Sequence, residues 1–239
     1  MADGTGPRPG ARWLLLLAAA GTVVAWQFPR GRLALYPFSI LATFAHEMGH
    51  GTTAVLLGAH FERLEMHPDG SGVAFWHGNA GRIARALIAA GGLVGPSIVG
   101  SLVLVLSRKP SRSRFLLGLG AAILVLSALL VARNGFSLAF TLTAAAVLAA
   151  AAGLLPPLGA AFVVQFLGVT LCLSVFQDLG YMFSPGAVVE GVSHPSDSSQ
   201  MAEALLLPYW FWGGVVAAFS FLVLAAGLRT ALSDSPPES

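Results

Sequence analysis

From residue 115 to residue 155 this chain carries one charged side chain, Arg133. About 20 apolar residues in a helix cross the hydrocarbon of a bilayer. Backbone amides find no water there, so a run of this kind is expected as a helix that pairs them internally. By the same ruler, spans are expected over 12–28, 33–59, 83–107, 115–131, 136–155, 158–183 and 204–228. This predicts an all-α polytopic membrane protein with about six or seven transmembrane helices. Composition agrees, with 56% of the 239 residues hydrophobic and 10% charged, against about 25% charged in soluble domains.

Several classes are excluded at once. A net charge of +2 and the lack of a basic stripe interleaved with aromatics give no nucleic-acid footprint. Cys172 is the single cysteine, which rules out an internal disulfide and any zinc site built on paired cysteines; within its apolar run it reads as a small buried hydrophobe. The chain reads as one domain over 1–239, with disordered tails at 1–11 and 230–239. Arg8 and Arg12 before the first apolar block also fit a signal peptide, although a retained first helix is preferred because no polar region follows it. Arg108, Lys109, Arg112 and Arg114 mark one loop as cytoplasmic. Strict alternation then puts the polar segment 60–82 outside, while Arg63, Arg82 and Arg85 pull it inward.

Inside the second expected span stands His46-Glu47-Met48-Gly49-His50. Residues four apart share a helix face, so both imidazoles can reach one metal ion. Glu47 lies about 100° around the same turn, placed to act on a water at that metal. Charge at that depth is costly, and a Zn²⁺ site explains all three residues together, with Gly49 and Gly51 leaving room. Two imidazoles and one more ligand leave a fourth position for water, and Glu47 then serves as general base for attack on a carbonyl.

The third ligand lies elsewhere. Asp178, an acid in an otherwise apolar span, is the preferred residue because intramembrane acids are functional by default. Asp197 is the rival, with an N-cap of the last helix as its ordinary alternative. Glu62 and Glu65 fall in the polar segment 59–82, whose alternation around Pro68-Asp69-Gly70-Ser71-Gly72 predicts a small β-hairpin at the membrane boundary. Asn79 is a candidate to hold a substrate backbone through its amide. His60, His67, His77 and His194 read as span-end or loop residues.

These segments resemble the site-2-protease family of intramembrane zinc metalloproteases, and most closely its compact B-like branch of bacteria and plants. The likeness rests on AHEMGHGTTAVLLGA, PDGSGVA, GGLVGPSIVG, FQDLG and the following SD-containing loop, in that order from about residue 33 to residue 200. It implies zinc held by His46, His50 and Asp178, with Glu47 as base. It also implies a transmembrane protein or peptide as substrate, and a multi-pass place in a bacterial plasma membrane. The hairpin is similar to the edge strand such enzymes use to hold an unwound substrate. Better-known members join Asp to Gly after an Asn-Pro context; here Leu179 intervenes before Gly180. A non-proteolytic zinc scaffold of the same fold is the alternative, and intact Glu47 argues against it. A transporter would show an internal repeat, and none is seen.

Overall fold

A computed structural model describes residues 19–189 and 191–232. Residues 19–26 are helical, as are 230–232 of the tail expected to be disordered, while 12–18 of the first expected span, 1–11 and 233–239 lie outside the described residues. Helix α1, Pro29–Leu56, starts with proline at its first turn, where a missing N–H costs nothing. It stops at Leu57 and Gly58, whose φ of 83° suits a residue without Cβ. Strands β1, His60–Met66, and β2, Gly72–His77, follow as an antiparallel hairpin. The turn between them is tied by Asp69, whose Oδ1 accepts the Ser71 amide at 2.9 Å and its hydroxyl at 2.6 Å.

Then come α2, Arg82–Leu106, α3, Ser113–Leu130, α4, Gly135–Leu154, and α5, Pro157–Met182. A second hairpin, β3 at Gly186–Val189 and β4 at Val192–Pro195, precedes the short α6, Asp197–Leu205, and the final α7, Tyr209–Leu232. Helix α2 is the hub, packing against α1, α5, α6 and α7. Its small residues explain the closeness: a Cβ on Gly95 would come within 2.8 Å of the Ala45 carbonyl, so the α1–α2 contact requires glycine there.

Among the described residues five helices (α2, α3, α4, α5 and α7) are long and apolar enough to cross a membrane. The expected spans from 83 onward each fall on one of them. The last begins later than the expected 204, because residues up to Leu205 belong to α6 and Pro208 starts a new helix. The HEMGH span is α1, 28 residues and about 42 Å long. It is absent from those five because His46, Glu47 and His50 themselves lower its hydropathy. Large apolar side chains stand exposed along the bundle, among them Leu129, Leu154 and Leu158. Together with the five apolar helices, these surfaces make the chain an integral membrane protein.

The outer edge of β1 is docked on the segment that leads into α4. Leu64 donates its amide to the Val131 carbonyl at 2.7 Å and accepts from Arg133 at 3.2 Å. Met66 is held likewise by the Ser137 hydroxyl and the Asn134 amide, each at 2.7 Å. Since the backbone groups of Leu64 and Met66 face away from β2, those of Arg63 and Glu65 pair with it. The backbone groups of Gly72 and Ala74, opposite Met66 and Leu64, therefore point away from β1. Among the described residues the sheet has two strands, so no strand covers that edge of β2.

Candidate metal centre

His46 and His50 are one turn apart on α1, with their Nε2 atoms 3.1 Å from each other. Asp197 brings Oδ2 to 3.0 Å from the first Nε2 and Oδ1 to 3.4 Å from the second. Among the described residues these three form the group of His, Cys, Asp or Glu able to hold one ion, all ligand atoms lying within 4.8 Å. Two imidazole nitrogens and a carboxylate are the protein ligands that a catalytic zinc site uses, with a coordination position left open. The donor set fits that metal.

Each donor is aimed by its surroundings. His50 Nδ1 lies 2.8 Å from the Ile88 carbonyl of α2, which can only accept, so that nitrogen carries the proton and Nε2 is left as a ligand. A Cβ on Gly92 would run into the His50 ring, so α2 must be bare at that point. Asp197 is the first residue of α6, and the cap itself is Ser196, whose hydroxyl accepts the Ser199 amide at 3.2 Å and donates to the Ser184 carbonyl at 2.6 Å. The Asp197 amide donates to the Tyr181 hydroxyl at 3.3 Å. Burial would raise the Asp197 carboxyl, but the imidazoles of His50 and His46 hold it below the usual carboxylate range.

Glu47 is 5% exposed and lies against β2. A Cβ on Gly72 would come within 2.9 Å of its Oε1, and the Ala74 backbone amide is directed at its carboxyl. The edge of β2 that no strand covers therefore runs past the base. His46, Glu47, His50 and Asp197 all border one cavity of about 430 Å³, walled by α1, β2, α5, α6 and the second hairpin.

Of the residues singled out in the sequence, His46, Glu47, His50 and Asp197 are brought together. Asp178 borders the same cavity from α5 but stands outside the ligand group, which Asp197 completes. The N-cap reading of Asp197 gives way as well, since Ser196 fills that role. Asn79 is exposed on the loop after β2 and does not border the cavity. Glu62 and Glu65 are ion-paired to Arg63, at 2.6 and 2.8 Å. His60 and His77 stack on each other, while His194 reaches the cavity from β4. Sequence reasoning missed β3, β4, α6 and Tyr181. A signal for the last was present: Ser174, Asp178 and Tyr181, at i, i+4 and i+7, share one face of α5 and all border the cavity.

Compared with models of known families, the chain matches Peptidase M50B-like over residues 14–227. Comparison with curated proteins and with solved structures gave no match.

Proposed function

The chain belongs to the Peptidase M50B-like family, which implies a metallopeptidase, and from that premise we propose an intramembrane zinc endopeptidase that cleaves in or beside transmembrane segments of membrane proteins. One observation carries the proposal: the donor atoms of His46, His50 and Asp197 meet within 4.8 Å, one residue from the buried carboxylate of Glu47. A scaffold that only bound a metal would have no use for that base.

In this account His46, His50 and Asp197 hold Zn²⁺, and Asp197 takes the role first assigned to Asp178. When bound, the ion would supply Lewis-acid polarisation of the scissile carbonyl and a water that ionises near neutral pH. Glu47 removes a proton from the attacking water and returns it to the departing amine nitrogen. The carbon–nitrogen bond breaks as that proton arrives.

Helical peptide bonds are protected because their amides are already paired. A substrate must unwind locally, and its freed backbone groups need partners where water is scarce. The edge of β2 offers them by strand addition, at the backbone of Gly72 and the carbonyl of Ala74, beside the base. The partners proposed are therefore a transmembrane substrate and the surrounding lipid, and the proposed location is a bacterial plasma membrane. The test is removal of zinc by a chelator from purified protein in detergent, with cleavage of a single-span peptide recorded before, after and on return of zinc. The expected course is loss and recovery; cleavage that survives complete removal would overturn the proposal.

A further inference from the structure

The mechanism leaves one cavity carboxylate without a task. Asp178 lies on α5, one turn before Tyr181, and borders the cavity that holds Glu47 and the three ligands. Among the described residues it makes no hydrogen bond or ion pair. The other acids there are each engaged: Asp197 with two imidazoles, Asp69 with Ser71, and Glu47 with β2.

Charge balance gives this a direction. The cavity wall includes Glu47, Asp69, Asp178 and Asp197 but no lysine or arginine. A divalent cation at the ligand group offsets Glu47 and Asp197. Asp69 is satisfied by its own turn, which leaves the Asp178 carboxylate with no lysine or arginine in the cavity wall to pair with. A peptide backbone added to β2 brings no charge. A basic side chain on that peptide does, and alternate residues of an extended strand turn to one side, where the α5 face of Ser174, Asp178 and Tyr181 can meet them.

We propose that Asp178 forms a subsite for a cationic side chain, lysine or arginine, close to the scissile bond of the substrate. The inference rests on the proteolytic reading for its meaning, but not for its measurement. Asp178 acts here as a specificity determinant and not as a metal ligand.

The test uses zinc-loaded Glu47→Gln protein of full length in detergent, which binds without turnover. The probes are synthetic single-span peptides with a central helix-breaking Asn-Gly, carrying one Lys, Gln or Glu at successive positions around it. At one position the Lys peptide is expected to bind about tenfold more tightly than its Gln counterpart, with Glu weakest. Adding Asp178→Asn should bring the Lys-to-Gln ratio to about one, and Asp178→Lys should invert the order, with zinc stoichiometry unchanged in both. The same peptides are offered to the wild-type enzyme. A Lys preference without cleavage would sink the protease reading and leave the subsite standing. Cleavage without any charge preference would overturn the subsite alone, and so would a preference that survives Asp178→Asn or zinc lost from that variant.

Discussion

The Asp197 carboxylate lies 3.0 Å from His46 Nε2, although 151 residues separate the two in the chain. The contact is made by the first residue of a nine-residue helix that Ser196 starts and that packs on α2. The candidate metal centre is therefore assembled by tertiary structure, and its proposed third ligand can be tested apart from its rival. Asp197→Ala should lower zinc affinity by more than the 10–100-fold that loss of an outer-shell partner costs, whereas Asp178→Ala should keep about one zinc per chain. Metal analysis of the two purified variants decides it; full zinc in the first and none in the second would reverse the assignment.

Gly92 is the bare spot on which the His50 ring rests. Gly92→Ala should push the ring aside, with the 1–3 kcal/mol destabilisation typical of overpacking and weaker zinc binding. Gly118 on α3 has nothing within 4 Å of a Cβ, so Gly118→Ala should stabilise by about 0.4–1 kcal/mol. Thermal unfolding in one detergent, with and without zinc, tests the pair. Equal melting temperatures would remove the argument for close packing.

At Gly72 a Cβ would stand 2.8 Å from Thr43 Cγ2 and 2.9 Å from Glu47 Oε1. Gly72→Val should therefore retain zinc and lose activity, since a displacement of about 1 Å near reacting groups can cost 10²-fold. Zinc content and cleavage rate measured together are the check. Unimpaired cleavage would mean that β2 does not set the position of the base.

The Asp69 carboxyl is held below its usual value, first by the Ser71 hydroxyl and then by the Ser71 amide. A depressed folded value means that the ionised form stabilises the turn. That contribution is full above the ordinary value of about 3.9 and is lost as pH falls through the lower folded value. Amide exchange in the first hairpin, corrected for intrinsic rates, should speed up on that acid side in the wild type and stay level in Asp69→Asn. The same acid loss in both would assign it to another group.

Much of this was legible from local pattern. The apolar runs located five helices, and the i, i+4 histidines with Glu47 between them located one face of the site, because both signals repeat within a single helix. Pro68 to Gly72 announced the first hairpin through turn chemistry. What stayed hidden depended on distant contacts. Asp178 and Asp197 are both acids between apolar segments, and only the fold shows that the N-terminus of α6 carries Asp197 to the imidazoles while Asp178 stops at the cavity wall. The strands β3 and β4 are four residues each, too short for alternation to show. Asn79 looked polar and well placed, yet the end of β2 turns it outward.

The central claim is that Glu47 does chemistry beside a metal held by its neighbours. Its most direct test is zinc content and peptide cleavage measured on the same preparations of wild type and Glu47→Gln. The account predicts about one zinc per chain in both, with cleavage reduced by at least 10³-fold in the variant, the upper range of what a positioned acid–base group contributes being about 10⁴. Cleavage at the wild-type rate by zinc-loaded Glu47→Gln would contradict it.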